Sequence, residues 1–569
     1  MKNLKPSFTY SITAFISIFF LWHLEIKYGF FPTDESRTLG LTQRLLFKQI
    51  PHVDFSYQSF MGSMYLHFYA LLIPKYKVAI LRIISALMVH YYTFNILKLT
   101  NLFNNKNTST KIFFWISATY LNIHWYDFFI WPTIDALFVF TLGVAVLKKS
   151  NNIGLLILGF TPLLKTPFVL SVAGYIVYKN ISKFKFNIFL KDAIISSIPS
   201  LVYLLITFLM GGFDNLYEET LLSPINWDYW NIWFHRLGLY EKQLIPVIFF
   251  LVGIKFIRTK NTQLIRILNI SYMILFLIFL YLLNYNSWGY KPYLNLINLF
   301  LIFFIYIKNY KNLPDIFHAF FVCYILEVGA MMSMSWVYGQ WLNGSLLVLI
   351  FLLLSQDFNS DTNLDLIKKL QSVFLIIFII FSLTNVVELL NFRSQNIWKS
   401  NPGRSVVRSE VNLSYSLNDI DERYGPIFVD ENTFEYLSDV HTCLEKVDSK
   451  NVSIFPDNPI LYYVYGLNNP LYLDWYEVGY VGNRREYYNK VILEKIYSSN
   501  DPDTYIFLQS YRVPRLISDL DKAQVSKLNP TPWPENMEGI FEEIYTPLKK
   551  KYQSTTTECK SFTVLHVKN

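Results

Sequence analysis

Windows of about 17–25 nearly uncharged residues recur along this sequence, and that is the length an α-helix needs to cross the hydrocarbon core of a bilayer. "SITAFISIFFLWHLEIKYGFF" near the start, "LFLIFFIYI" with its flanks, and "SVFLIIFIIFSLTNVVELL" are examples. With 53% of its residues hydrophobic and only 16% charged, the chain has too few charges to keep that apolar surface in water. The expectation is a multi-pass membrane protein. No small-residue cleavage site follows the first window, so it reads as a retained helix and not a removable signal peptide.

The net charge of +8 would suit nucleic acid if it formed one basic face. It does not. Lys and Arg cluster between alternate apolar segments: at Lys2 and Lys5, around Lys98–Lys111, at Lys148 and Lys149, and from Lys179 to Lys191. The series continues from Lys255 to Arg266, at Lys308 and Lys311, and at Lys368 and Lys369. The intervening loops carry Asp34, Glu35, Asp54, Asp127, Asp135, Asp214, Glu218, Glu219 and Asp228 instead. That asymmetry is the positive-inside pattern, which puts the N-terminus in the cytoplasm, the acidic loops outside, and nucleic acid out of consideration.

Walking the windows with this rule gives about thirteen spans over residues 1–391, with outer loops near 30–78 and 212–241. The pair 153–164 and 167–178 is too short for two ordinary spans and reads as half-helices or one broken helix. From residue 392 to 569 charged and turn residues return. Short strands such as "VSIF" and "TYIFL" alternate there with helical stretches such as "NRREYYNKVILEKIYSS". The fold class expected is an all-α polytopic bundle followed by a small soluble α/β domain on the outer side. Cys443 and Cys559 lie in that domain, where a disulfide and two unpaired thiols are both open, and Cys323 lies in a span. The sequence shows no repeat, low-complexity tract, glycine-rich phosphate loop or zinc spacing.

"TDESRT" sets Asp34, Glu35 and Arg37 just beyond the first helix. Charge at a membrane boundary is costly, so such residues are functional candidates. The stretch resembles the Asp-Glu-x-Arg motif that opens the first external loop of GT-C glycosyltransferases. The nearest branch is the protein O-mannosyltransferase and lipid A aminoarabinose transferase group. "IPHVDFSYQSFMGSMYLHFYALL" and "KVAILRIISALMVHYYTFNILKL" follow the family's progression to a second helix beginning with Arg and Ser, here Arg82 and Ser85. "WPTIDALFVFTLGVAVL" is similar to its helix start with a membrane-facing Asp, here Asp135, and "LILGFTPLLKTPFVL" to its Leu-x-Lys segment, here Lys165. "VSIFPDNPILYYVYGLNNPLYLDWYEVGY" resembles the strand–Pro-Asp–Tyr–Gly–Asn-Pro run of the C-terminal domain in bacterial members. Two departures stand out. "YQSFMGS" lacks the family's Glu-Lys-Pro-Pro, and the late basic-His-Tyr-x-x-Pro motif is blurred: "SWGYKPYLNLINLF" keeps Lys291 and Tyr293, whereas "SWVYGQWLNGSLLVLI" has the expected position but Gln340 and Trp341.

The resemblance implies transfer of a sugar from a polyprenyl phosphate to a hydroxyl on a lipid, glycan or protein acceptor outside the membrane. Such a reaction needs a carboxylate to take the acceptor proton. It also needs cations aimed at the departing phosphate and an apolar groove for the lipid tail. On this reading Asp34 is the general base of an inverting displacement, and Glu35 orients it or raises its pKa. Arg37, Lys165 and Lys291 meet the phosphate, and Asp135, Asp54, Tyr57 and Tyr293 hold acceptor or sugar hydroxyls. No cofactor is read from the sequence, and a divalent metal stays open because its use varies within the superfamily. His52, His67, His90 and His124 lack ligand spacing and read as packing or interface residues. Trp227, Trp230 and Trp233 suit lipid or glycan contact.

Three rival readings are a transporter or flippase of a lipid-linked sugar, an O-antigen polymerase or ligase, and a non-catalytic scaffold. The first expects related halves with polar residues at mid-membrane, and no internal repeat is visible. The second expects a large late external loop rather than an acid pair after the first helix.

Overall fold

The computed structural model describes residues 6–222 apart from 31–36, 58, 123–128 and 182–184, together with 313–332 and 342–354. Further along it describes 396–401, 404–407, 413–447, 449–455, 458–474, 489–494, 504–509 and 562–567, with residues 547, 550 and 559. These residues are mostly helical. The first helices are α1 (Pro6–Leu21), α2 (Arg37–Arg44), α3 (Gly62–Leu66), α4 (Lys77–Leu97), α5 (Asn101–Asn104) and α6 (Thr108–Asn122). They are followed by α7 (Pro132–Leu147), α8 (Asn151–Leu164), α9 (Phe168–Ile181), α10 (Phe186–Leu209) and α11 (Phe213–Tyr217). Next come α12 (Leu313–Met332), α13 (Asn343–Leu354), α14 (Glu431–Val447) and α15 (Pro459–Tyr465). The strands are β1 (Asn396–Asn401), β2 (Arg404–Val407), β3 (Tyr415–Ser416), β4 (Phe428–Val429), β5 (Val452–Phe455), β6 (Thr504–Gln509) and β7 (Phe562–Val567).

Among the described residues, three helical stretches are long and apolar enough to cross a membrane: Phe8–Ile26, Lys77–Leu97 and Phe186–Leu209. The first and third leave Phe15, Phe19, Phe20, Leu205, Phe208 and Leu209 more than half exposed, surface that water would reject and lipid tails would cover. The short pair expected around 153–178 is found as two helices, α8 and α9, separated at Lys165-Thr166-Pro167. Proline explains the break, because Pro167 lacks an N–H donor and pushes Thr166 out of helical geometry.

The chain divides into two compact units. One comprises 1–10, 90–124 and 229–390. Within it Asn122 donates to Thr93 Oγ1 at 2.8 Å and Ser345 Oγ at 2.7 Å, and accepts from Ser345 N at 3.0 Å. A Cβ at Gly344 would land on the Ala118 carbonyl, so only glycine lets α13 approach α6 there.

The other unit comprises 11–89, 125–228 and 391–569. Its helices α8 and α10 meet at Gly159, where a Cβ would fall on the Ser196 carbonyl oxygen. Gly159→Val is therefore expected to cost about 1–3 kcal/mol by overpacking. A lowered unfolding midpoint of the detergent-solubilised protein is the readout, and an unchanged midpoint would refute the close approach.

One apolar core in this unit joins Phe30, Leu39, Val78 and Leu81 to Leu417, Tyr424, Val440, Ile454, Tyr463, Phe507, Phe562 and Val564. The sheet beneath it has the order β5-β6-β7, with Val452 paired in parallel to Tyr505 and Tyr505 in antiparallel to His566. The stretches "VSIF" and "TYIFL" thus form strands, because their apolar residues fill both faces of a small buried sheet. A disulfide joins Cys443 on α14 to Cys559 just before β7, a bond that persists in oxidising compartments.

Candidate functional site

Residues 31–36, which include Asp34 and Glu35, lie outside the described residues, but both flanks of that segment are built in detail. On the near side, Phe428 N donates to Lys27 O at 2.7 Å and Gly29 N donates to Phe428 O at 2.9 Å. Arg82, only 1% exposed, donates to the carbonyls of Ile26 at 2.7 Å, Gly29 at 2.8 Å and Tyr28 at 3.3 Å. Carbonyls at a helix end lack intrahelical donors and carry its negative pole, so a buried guanidinium satisfies both needs. Three residues along α4, Ser85 Oγ donates to Phe129 O at 2.9 Å and fixes the approach to α7.

The far flank is α2. A Cβ at Gly40 would meet the Pro459 carbonyl, so α2 lies directly against α15. Arg44 at the end of α2 is buried against Asp474, with Nη2 to Oδ1 at 2.7 Å and Nε to Oδ2 at 2.9 Å. Its remaining donors reach Leu471 O at 2.8 Å, Asn469 O at 3.0 Å and Gln49 Oε1 at 2.7 Å. Asn469 in turn donates to Asp474 at 2.7 Å and accepts from Ser453 at 2.6 Å. The Asn-Pro run near the chain's end is therefore the socket for Arg44. Lys77 adds a third tie, giving its ammonium to the α15 carbonyls of Tyr463 at 2.8 Å and Val464 at 3.3 Å.

Four of the residues singled out in sequence come within electrostatic reach of one another. The Arg37 guanidinium, first on α2, lies 5.0 Å from the centroid of the Tyr57 ring. Burial pushes the Tyr57 hydroxyl pKa up, Arg37 pulls it down, and Asp135 pushes it up again, so the phenol stands between a cation and an acid. Lys165 ends α8 and feels the positive field of Arg37. Gly62 makes this possible, since its Cβ would come within 2.6 Å of the Leu163 carbonyl carbon, and Ser59 Oγ meets Thr166 Oγ1 at 3.0 Å. Lys165 is half-buried, and no carboxylate is paired with it among the described residues.

Asp135, in the first turn of α7, is fully buried. Its Oδ1 lies 2.9 Å from His67 Nε2, and His67 Nδ1 lies 2.9 Å from the Tyr69 hydroxyl. Its second oxygen, Oδ2, is buried with no hydrogen-bond partner. Sequence alone offers His67 as a packing or interface residue, because it has no metal-ligand spacing and a single contact 68 residues away leaves no local signal.

Asp54 belongs to a turn of its own, accepting from Ile50 N at 2.7 Å. Lys291 and Tyr293 lie outside the described residues, as do Trp227, Trp230 and Trp233. A second polar knot escaped sequence reading. His52 sits at φ 62, held by Glu219 Oε2 at 3.0 Å, Tyr203 OH at 2.9 Å and Asn215 Nδ2, which donates to its carbonyl at 2.7 Å. Tyr472 donates to Glu219 Oε1 at 2.8 Å, so every ring and carboxylate position is occupied and the knot braces the loop. Among the described residues no group of three His, Cys, Asp or Glu side chains converges as metal ligands. No family model, curated protein or solved structure matches the chain.

Proposed function

We propose that this protein is an integral-membrane glycosyltransferase that moves a sugar from a polyprenyl-phosphate donor to a hydroxyl acceptor on the extracytoplasmic side. One observation carries the reading. Lys165 is half-buried beside Arg37 with no described carboxylate paired to it, an arrangement that favours a bound anion such as a lipid phosphate. The cysteine pair and the alternating loop charges support an outer location for the C-terminal domain, within a topology of about thirteen spans.

In the proposed reaction Asp34 takes the acceptor hydroxyl proton as that oxygen attacks the anomeric carbon. The bond from that carbon to the phosphate oxygen breaks, and the phosphate leaves with the electron pair. Arg37 and Lys165 stabilise the charge it gains. A single displacement inverts the anomeric centre. Glu35 orients the base, and Tyr57 lines the acceptor side.

The test is binding of a polyprenyl methyl phosphate, a diester with one negative charge and no sugar. Lys165→Gln is expected to weaken it about 10–100-fold, the worth of one charge-assisted contact. Equal affinity in wild type and variant would sink the phosphate assignment. The break between α8 and α9 also favours a second reading, a flippase of lipid-linked sugar, because transporters place ligands at interrupted helices. That reading expects labelled lipid to cross the bilayer without any transfer.

A further inference from the structure

The orphaned oxygen of Asp135 is the feature that the site described so far leaves unused. A buried carboxylate oxygen without a hydrogen-bond donor is unfavourable by about 1–3 kcal/mol or more, and native proteins keep such groups where a ligand completes them. His67 has both ring nitrogens engaged, Nε2 with Asp135 Oδ1 and Nδ1 with Tyr69, and the imidazole is fully buried.

In a neutral imidazole Nε2–H donates to the carboxylate and Nδ1 accepts from the Tyr69 hydroxyl, whereas an imidazolium donates from both nitrogens. In either state the contact with Nε2 fixes the carboxylate plane and leaves Oδ2 without a donor. Whatever completes the group must donate a hydrogen bond.

Placement says what the donor belongs to. The charges of Arg37 and Asp135 both act on Tyr57, and Arg37 acts on Lys165. The orphaned acceptor is thus one aromatic side chain away from the cationic pair. The Arg37 guanidinium lies 5.0 Å from the Tyr57 ring centroid, so a phosphate held there would bring the group attached to it toward this acceptor.

We propose that Asp135 Oδ2 binds a hydroxyl of the donor's sugar, and that His67, fixed by Tyr69, is the positioning residue that makes Asp135 an obligate acceptor. This rests on the lipid-phosphate reading above and adds the element that distinguishes a sugar-bearing lipid from a bare one.

The experiment compares binding of two kinds of probe to the full-length protein in detergent. One is polyprenyl methyl phosphate, and the other is a set of polyprenyl hexosyl phosphates with gluco, manno and galacto configuration. All carry one negative charge, so the difference isolates the sugar. Wild type is expected to bind at least one hexosyl lipid about tenfold more tightly than the methyl diester, the worth of one hydrogen bond to a charged group. Asp135→Asn and His67→Leu are expected to lose that preference while retaining affinity for the methyl diester. His67→Gln, whose amide restores an N–H donor near the Nε2 position, is expected to recover most of it. An unfolding midpoint within the wild-type range certifies each variant, and recovery in His67→Gln separates positioning from bulk packing. An undiminished sugar preference in His67→Leu overturns the proposal, and so does equal binding of both probe types by wild type. Failure of wild type to bind either lipid overturns the lipid-phosphate reading and this inference together.

Discussion

Asp34→Asn is expected to slow sugar transfer by about 10²–10⁴-fold, the range lost when a positioned general base is removed. Affinity for polyprenyl methyl phosphate should stay unchanged, because asparagine keeps the shape and Lys165 keeps its charge. The measurement is transfer of radiolabel from a polyprenyl-phosphate sugar by wild type and variant in the same vesicles. Equal transfer would remove Asp34 from the chemistry. Undiminished flipping of labelled lipid with no transfer by either protein would favour the transporter. The prediction draws its force from the flanks. Arg82 and Phe428 hold the chain just before this segment, and α2 is locked to α15 and Asp474 just after it. A loop anchored at both ends can hold a carboxylate in one place, which a general base requires.

The second large effect concerns stability. Arg44→Met is expected to cost about 3–5 kcal/mol, because it strands the buried Asp474 charge in the interior. The carbonyls of Asn469 and Leu471 lose their donor as well. The double variant Arg44→Met with Asp474→Leu should recover a large part of that loss, since an apolar pair of similar volume can replace a buried ion pair. Unfolding midpoints in detergent give the comparison. A double variant no more stable than the single one would show that Arg44 acts through its other partners. Because α2 also begins with Arg37, the same substitution should loosen lipid-phosphate binding.

Hydropathy made the helical character legible, and the short strands "VSIF" and "TYIFL" could be read because nothing else confines so many β-branched and aromatic residues between turn signals. The α8–α9 break was legible too, in the proline that ends it. What could not be read was the interlock. "LTQRLLFKQ" looks like an ordinary basic patch, and nothing local reveals that Arg44 is answered by Asp474, 430 residues away. For the same reason, the boundary expected near 391 gave no sign that Phe30 and Leu39 share a core with Leu417 and Tyr463. Arg37, Asp135 and Lys165 were singled out by their resemblance to an ordered set of motifs. His67 and Tyr69 were not, because a relay of single hydrogen bonds has no spacing rule.

That shared core has a consequence for timing. A ribosome releases Phe30 and Leu39 long before Phe562 and Val564, yet these side chains pack in one cluster. The flanks of residues 31–36 therefore reach their final setting only after β7 has been translated, a case of extreme sequence separation between contacts. Chains that stop short of β7 would lack Phe562 and Val564, and the core that Phe30 and Leu39 share with them would stay incomplete.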